Sequence, residues 1–239
     1  MLERVEHPNG VVTYQSPLLS GVGVPHAFST RIGGVSTGPY ATLNLADLAK
    51  DIRTDPNTNV AENFRRLRQA IGCRRHVRVE SKQVHGAGVW VPPAEPVKPK
   101  DAPCADAMVT DDPGLMLTVR VADCVPILLS SADGKVVAAV HAGWRGVIAG
   151  VIPATIACMR DRLGVNPAGI RVAIGPCIST DHFEVGQEVI KAFEAVGLGH
   201  RVHRDDWPKP HIDLRSATEN QLYSIALCNV DTTDRCTYR

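Results

Sequence analysis

The sequence predicts an α+β fold in which helices near both ends of the chain flank a run of consecutive strands. The strand-like segments of the middle follow one another directly, without the alternating helices of a βαβ repeat. Two central segments, VPILL and VVAAV, are apolar throughout, which is typical of strands covered on both faces. Both observations favour a layered sandwich of helices and sheets.

The N-terminal part is expected to contain one strand, a long loop and one helix. We predict a short strand at 26–29, followed by an ordered loop rich in Gly, Ser, Thr and Asn that extends to residue 46. Asp55-Pro-Asn is expected to cap a helix over 57–71. One face of this helix carries four apolar side chains, Val60, Phe64, Leu67 and Ile71.

The middle of the chain is rich in predicted strands. They cover residues 76–80, 87–91, 107–110, 115–121, 125–130 and 135–141. Asp133-Gly134 is the strongest hairpin signal in the chain and is expected to join the last two strands. A proline-rich stretch, 92–103, is interpreted as a surface loop too short to separate domains, so we expect a single catalytic domain over 1–239.

The C-terminal part returns to helices. A helix is predicted over 147–163, kinked or restarted by Pro153. It is followed by a strand at 170–174 and by helices near 186–196 and 214–227.

Charge and hydropathy argue against several classes of protein. The 239 residues include 26 Lys and Arg against 25 Asp and Glu, so the basic excess typical of nucleic-acid binders is missing. The first residues contain no apolar signal-peptide core. The longest nearly uncharged apolar run, 146–159, is too short for a membrane span and contains Pro153. We therefore expect a cytoplasmic protein that binds neither nucleic acid nor membranes.

The cysteines and three short motifs indicate where the chemistry lies. The chain has 7 Cys and no CxxC pair, which in a reducing compartment indicates free thiols and a candidate metal ligand. Three segments place a His or Cys at a predicted strand end beside Gly or Pro, where a side chain is held rigidly. They are QVHG at 83–86, ADCVP at 122–126 and HAGWRG at 141–146.

The predicted hairpin brings two of these segments together. Because the chain turns near residue 133, Cys124 should lie roughly opposite residues 141–142, within cross-strand reach. With His85 added, the set is His, Cys and His, which is typical of a catalytic zinc with an open fourth position. The alternative interpretation is a buried free cysteine beside two hydrogen-bonded histidines.

Further candidates lie near these segments. Cys177, in IGPCIS, lines the same pocket, adds a fourth ligand, or is a small buried thiol beside a tight turn. Trp144 either stacks on a planar substrate or packs in the core. Arg31 and Arg145, flanked by Gly-rich turns, are candidates for holding a phosphate or carboxylate.

Several known motifs are missing from the sequence. It contains no P-loop, dinucleotide-binding, GxSxG, HExxH or zinc-deaminase signature. Copper oxidases of the blue type need many histidines, commonly in His-x-His pairs, whereas this chain has 9 His and no such pair. An oxidase is therefore the function that the sequence favours least.

At these residues the sequence resembles the YfiH/YlmD family, once called laccase-domain or polyphenol-oxidase-type proteins. The motifs that carry the resemblance follow the family's order and span most of the chain. They are FSTRIGGVSTGPYATLNLA (28–46), QVHG (83–86), ADCVPILL (122–129), HAGWRG (141–146), IGPCIS (174–179) and EVGQEVIKAF (184–193).

The resemblance implies a fold and a metal. The fold is a four-layer α/β/β/α sandwich, similar to the catalytic domain of cytotoxic necrotizing factor. The metal is zinc, held by the residues that match the family's ligands, His85, Cys124 and His141. Copper, which His and Cys ligands also suit, is the less favoured alternative.

The implied activity is phosphorolysis of purine nucleosides (adenosine, inosine, guanosine and methylthioadenosine), with adenosine deamination alongside. The expected partners are a purine nucleoside and phosphate, bound by a monomer. Catalytic roles are expected for Cys124, His85, Arg31 and Arg145, and substrate contacts for Arg31, Asn44, Trp144 and Cys177.

Two alternatives stay open on the residues alone. Cys124 could be a metal-free nucleophile activated by a histidine, in a hydrolase of peptidoglycan precursors. The zinc could also be a structural clip in a chain that binds a partner. At its C-terminus the sequence stops at Cys-Thr-Tyr-Arg, before the family's usual Phe-Ser-Tyr-Arg-Arg, and we interpret this tail as truncated or divergent.

Overall fold

The computed structural model describes residues 1–46, 55–95, 97–204, 207–225, 227 and 229–238. Cys228 and residue 226 of the predicted C-terminal helix therefore lie outside the described residues. Within this part of the chain the α-helices are α1 (Pro17–Ser20), α2 (Asn57–Ala70), α3 (Trp144–Ile148), α4 (Val151–Leu163), α5 (Gln187–Ala195) and α6 (Leu214–Ser224). The strands are β1 (Glu3–Glu6), β2 (Val12–Gln15), β3 (Phe28–Ser29), β4 (Val77–Val79), β5 (Val89–Trp90), β6 (Ala107–Thr110), β7 (Leu115–Leu117), β8 (Val125–Ser130), β9 (Val137–Ala142), β10 (Arg171–Ile174), β11 (Val202–His203), β12 (His211–Ile212) and β13 (Val230–Asp231).

The largest sheet among the described residues has six strands in the order β13-β10-β8-β9-β6-β5. Its four central strands pair antiparallel, whereas β13 and β5 join the two edges in parallel. The predicted hairpin is confirmed, because β8 pairs with β9 from Val125 opposite Ala142 to Ser130 opposite Val137. The connecting turn contains Gly134 at a φ of 73° and makes β9 begin two residues later than predicted.

Helices α3 to α6 cover one face of this sheet. Alternate residues of β8, including Ile127, are buried in one core with Ile156 of α4, Phe193 of α5 and Leu222 of α6. The helix predicted over 147–163 is interrupted at Gly150, whose φ is 80°, and restarts as α4. Pro153 then lies in the first turn of α4, where proline is tolerated.

The second β layer and α2 lie on the other face. Leu128 and Ala173 of the large sheet pack with Phe28 of β3 and with Leu19. β4 and β7 pair in a separate two-stranded sheet, and the guanidinium carbon of Arg78 in β4 lies 3.9 Å from the ring centroid of Phe64 in α2. The layers therefore follow the order α/β/β/α that the resemblance implied.

A cavity of about 1300 Å³ separates part of the large sheet from α2. Leu128 and Ala139 line it from the sheet, and Phe64 and Leu67 line it from the helix. None of the described helices combines the length and the apolar character that crossing a membrane requires.

Some local predictions were wrong. Asp55 does not cap α2, since the residue before the helix is Pro56 and makes no side-chain capping bond. Asp55 instead accepts a hydrogen bond of 2.9 Å from the Asn59 side chain. The strand predicted over 115–121 ends at Leu117.

Candidate metal centre

Three segments meet at one end of β8 and β9. His141, the penultimate residue of β9, lies opposite Pro126 of β8. Cys124 immediately precedes β8 and shares the face of Pro126, because side chains alternate along a strand. The predicted juxtaposition of Cys124 and His141 is confirmed. The loop between β4 and β5 adds His85 to them.

The three side chains have the spacing of metal ligands. The nitrogen and sulfur atoms that His85, Cys124 and His141 can offer all lie within 4.8 Å of one another. The two imidazole rings are nearly perpendicular, with an interplanar angle of 80° and centroids 4.7 Å apart. His141 is buried, Cys124 is half-buried and His85 is exposed, so the cluster opens toward solvent at His85. Two imidazoles and a thiolate suit Zn²⁺ and leave a fourth position free.

A glycine makes the space for this cluster. A Cβ atom at Gly143 would lie 2.8 Å from the His85 ring and 2.9 Å from the Cys124 sulfur. Real Cβ atoms essentially never approach other atoms that closely, so a side chain at this position would have to displace the His85 ring or the Cys124 sulfur. The first Gly of HAGWRG therefore leaves room for the ligands.

Asp106, which the sequence analysis missed, lies behind the cluster and is fully buried. Its Oδ1 accepts hydrogen bonds of 2.8 Å from His141 Nδ1 and 2.8 Å from the His85 backbone N–H. Its Oδ2 accepts one of 2.7 Å from the Gly86 N–H. The signal in the sequence is an acidic residue directly before the fully buried strand β6.

Gln83 attaches the same loop to the segment after β7. Its side-chain amide donates to the Arg120 carbonyl at 2.7 Å, and its side-chain oxygen accepts from the Arg120 N–H at 2.8 Å. The QVHG segment is therefore held from both sides, by Asp106 and by the backbone of Arg120.

The surroundings shift the pKa values of the cluster in different directions. Burial, together with the charges of Asp123 and Asp106, raises the pKa of the Cys124 thiol to about 11. Burial also lowers the pKa of His141, against the opposing effect of its bond to Asp106. Burial alone would raise the pKa of Asp106, but hydrogen bonds from His141 and three backbone N–H groups lower it overall. At neutral pH the imidazole of His141 is therefore neutral, and the carboxylate of Asp106 behind the cluster is ionised.

The two candidates that follow His141 in sequence contact each other. Trp144 begins α3 and is half-buried against the core. The exposed Arg145 places its guanidinium carbon 4.3 Å from the centroid of the Trp144 ring. The guanidinium of Arg145 and the ring of Trp144 therefore lie within four residues of His141 in the sequence.

Cys177 is fully buried and is not one of the three clustered ligand residues. Its sulfur accepts a hydrogen bond of 3.7 Å from Arg215, and its backbone pairs with that of Cys236. Of the three interpretations offered above, this arrangement favours the small buried thiol beside a turn.

Arg31 and Asn44 line the 1300 Å³ cavity, together with Ala122 and Pro176. The Arg31 guanidinium donates two hydrogen bonds to the Ala41 carbonyl, at 3.0 and 2.8 Å. The Asn44 amide donates to Asp55 at 3.0 Å. Both side chains thus support their own loop. The cavity that they line also contacts Ala122, two residues before Cys124.

Comparisons with known proteins agree with this architecture. The family described as multi-copper polyphenol oxidoreductase laccase matches residues 25–239. A purine nucleoside phosphorylase of Deinococcus radiodurans is 38% identical over 230 residues, which cover 92% of this chain and 83% of that protein. The purine nucleoside phosphorylase YfiH of Escherichia coli is 39% identical over 220 residues, covering 90% of this chain and 84% of the relative.

Solved structures agree with the fold as well. The crystal structure of YlmD from Geobacillus stearothermophilus superimposes with a TM-score of 0.80 at 27% identity, and covers 98% of this chain and 88% of that one.

Proposed function

This chain belongs to the family described as multi-copper polyphenol oxidoreductase laccase, and from that premise we propose that it is a zinc-dependent purine nucleoside phosphorylase. The observation that carries the proposal is the solvent-open cluster of His85, Cys124 and His141. It is supported by relatives of 38 and 39% identity that are named purine nucleoside phosphorylases. Adenosine, inosine, guanosine and methylthioadenosine are the proposed substrates, and adenosine deamination is the proposed side activity.

The donor set favours zinc over the copper of the family's description. Two histidines and one cysteine suit both metals. An oxidase of the blue-copper type needs many further histidine ligands, whereas the 9 His of this sequence form no His-x-His pair. Within the described residues, His85, Cys124 and His141 are the one group of three with metal-ligand spacing. A single zinc ion is therefore the simpler assignment.

The chemistry to be performed is a displacement at the ribose. A phosphate oxygen forms a bond to the anomeric carbon, and the bond from that carbon to the purine nitrogen breaks, so that the purine leaves and takes up a proton. When bound, zinc supplies Lewis-acid chemistry toward a phosphate or water oxygen. His85, Cys124 and His141 would hold it.

The remaining candidates are assigned by their exposure and contacts. Arg145 and Arg31 are exposed and can neutralise the charge of a phosphate, for which the planar guanidinium is well suited. Trp144 offers a half-buried ring beside Arg145 for contact with the purine. Cys177 is fully buried and the Asn44 amide is engaged with Asp55, so we assign both a supporting role.

The surroundings of Cys124 weaken the alternative of a cysteine nucleophile. Activated cysteines lie in electropositive surroundings that lower the thiol pKa, which keeps a thiolate present at neutral pH. Here burial and two nearby carboxylates raise the pKa of Cys124 to about 11. The thiol would therefore be protonated and a poor nucleophile without a metal.

The proposal is tested by identifying the products formed from adenosine with and without phosphate. The zinc-loaded protein is compared with Cys124→Ser and with Cys158→Ser, which changes a half-buried cysteine on α4 outside the cluster. We expect adenine and ribose 1-phosphate, formed only with phosphate, from the wild type and from Cys158→Ser. Cys124→Ser should fall to background.

Other products would change the assignment. Inosine as the sole product would replace the phosphorylase with a deaminase that uses the same metal. If zinc-loaded protein leaves adenosine unchanged and, in the same assay, also inosine, guanosine and methylthioadenosine, the proposal is contradicted. Full turnover after zinc has been removed with a chelator would contradict the metal-dependent chemistry.

A further inference from the structure

We propose that Asp106 is the positioning residue of the metal centre, and that its single carboxylate orients both histidine ligands. The inference deepens the proposed function and rests on its zinc site. Oδ1 contacts both histidines, at 2.8 Å to His141 Nδ1 and 2.8 Å to the His85 N–H. The Asp106 carbonyl also accepts the backbone N–H of His141 at 2.7 Å, so the two residues are attached through backbone and side chain.

The first task of Asp106 is to select the tautomer of His141. A carboxylate accepts hydrogen bonds, so the 2.8 Å contact requires that the proton lie on Nδ1. The other ring nitrogen, Nε2, then keeps its lone pair for the metal. Metal-binding histidines commonly donate their second nitrogen to a carboxylate in this way, which also fixes the ring orientation.

The second task is to hold His85 in an uncommon backbone conformation. His85 has a φ of 60°, the left-handed region that residues with a Cβ seldom adopt. The carboxylate accepts the consecutive N–H groups of Val84, His85 and Gly86, at distances of 2.7 to 3.2 Å. Three N–H groups that converge on one anion stabilise this curved backbone. The exposed His85 ring is thereby presented from a fixed loop.

A residue that only stabilises the fold could be buried in the same way as Asp106. The test must therefore distinguish a loss of histidine orientation from a loss of protein stability. Ser81 offers a matched control in the same region. It is buried, and its hydroxyl donates to the Ala105 carbonyl at 2.8 Å, next to Asp106 in sequence. Ser81→Ala removes a buried hydrogen bond of this region and leaves every bond of the two histidines in place.

The first measurement uses zinc-free wild-type protein labelled with ¹⁵N. Long-range ¹H–¹⁵N spectra report which ring nitrogen of each histidine carries a proton. We expect His141 to be protonated on Nδ1 alone in the wild type and in Ser81→Ala, and to populate both tautomers in Asp106→Ala. A wild-type His141 protonated on Nε2 would overturn the proposal, and this result needs no variant to fold.

The second measurement is zinc affinity, by competition with a chromogenic chelator. Asp106→Asn keeps an acceptor for His141 but places an amide N–H₂ against the Gly86 N–H. Losing such an outer-shell partner typically lowers metal affinity by about 10- to 100-fold. We expect a loss near the lower end for Asp106→Asn, near the upper end for Asp106→Ala, and no loss for Ser81→Ala.

These outcomes are independent of nucleoside turnover. Folded Asp106→Asn with wild-type zinc affinity would overturn the positioning role, whatever the wild type does to adenosine. Equal losses of affinity in Asp106→Asn and Ser81→Ala would assign the effect to stability and would also overturn it. If zinc affinity falls as expected while the wild type leaves adenosine unchanged, the proposed function fails and the positioning role stands.

Discussion

At Gly143 the backbone passes so close to His85 and Cys124 that a methyl group has no room. The clash would involve the sulfur and ring that are to bind the metal, at 2.9 and 2.8 Å. The backbone of His85 is fixed by its loop and that of Cys124 by the start of β8, so the two side chains would have to rotate away from residue 143. A single added carbon should therefore displace the ligands rather than unfold the chain.

Gly143→Ala is accordingly expected to lower zinc affinity by roughly 10- to 100-fold, the range seen when ligand geometry is disturbed. Gly86→Ala is the matched control, because a Cβ there meets its nearest atom at 3.6 Å, an ordinary contact. Chelator competition on both variants measures the effect. Wild-type affinity in Gly143→Ala would show that the ligands adjust freely and would contradict the steric argument.

The residues of the centre could be predicted from sequence only in part. Cys124 and His141 were predictable because Asp133-Gly134 sets the hairpin, and the pairing of β8 with β9 then brings them together. His85 could be predicted as a ligand only from its motif, because no local rule places the loop after β4 beside the end of β9. Asp106 was missed because an isolated buried aspartate has no periodicity, and its role appears only from the four donors around it.

At the scale of elements, α2 holds the irregular loop that carries Arg31 and Asn44. Asn63 of α2 is fully buried and accepts the Val35 N–H at 2.8 Å. Its amide donates to the Asn44 carbonyl, also at 2.8 Å. The loop therefore has a fixed course although its only regular element within the described residues is the 3-10 turn Gly38–Tyr40, because the buried Asn63 side chain satisfies backbone groups from two parts of it.

Asp55 completes this support and makes it sensitive to pH. Burial alone would raise its pKa, but hydrogen bonds from Ser36, Asn59 and Asn44 lower it below the ordinary 3.8. A carboxyl whose pKa is lowered on folding stabilises the protein above its unfolded pKa. That stabilisation disappears as the pH falls through the lower, folded value.

Asp55→Asn should therefore reduce the free energy of unfolding at pH 7 by about 1.5–3 kcal/mol, the usual contribution of hydrogen bonds to a charged group. The difference from wild type should shrink as the pH is lowered below 3.8, measured by urea unfolding at each pH. Asp161→Asn is the control, since among the described residues this exposed carboxylate pairs only with its neighbour Arg160, and we expect little change. A constant difference between pH 7 and pH 3 would contradict the assignment to the Asp55 charge.

The helices and strands differ in how far their own sequence determines them. Helix α2 was predicted within one residue because one apolar face defines it, and β8 was predicted to the residue because it is continuously apolar. β1 was not predictable, because its four residues are mostly exposed and it forms only by pairing with β2. The sequence predicts the break in the helix after β9 at Pro153, whereas the structure has it at Gly150, because a left-handed glycine leaves no pattern in its neighbours.

At the scale of the whole molecule, the candidate metal centre joins parts of the chain that are distant in sequence. His85 belongs to a loop, while Cys124 and His141 lie at the end of two central strands of the large sheet. The unfolded chain would bring them together only by closing loops of about 40 and 17 residues, which costs conformational entropy. Zinc should therefore bind the folded protein far more tightly than the unfolded chain, and its binding must stabilise the fold as a whole.

The size of this effect follows from mass action. Free zinc at 100 times its dissociation constant stabilises the folded state by about 2.7 kcal/mol. For a chain of 239 residues this corresponds to a rise of roughly 5–10 °C in the melting temperature. We expect that shift between chelated and zinc-loaded wild type in thermal unfolding, with no comparable shift from Mg²⁺, which prefers oxygen ligands.

Cys124→Ser provides the control that ties the shift to this centre, since it removes the one sulfur ligand and should abolish most of the zinc-dependent stabilisation. A shift that survives in Cys124→Ser would place the bound zinc elsewhere on the molecule. Equal melting temperatures for chelated and loaded wild type would mean that the three ligands do not bind zinc in the folded state. The difference between the wild-type and Cys124→Ser shifts therefore reports the three proposed ligands and requires no knowledge of the substrate.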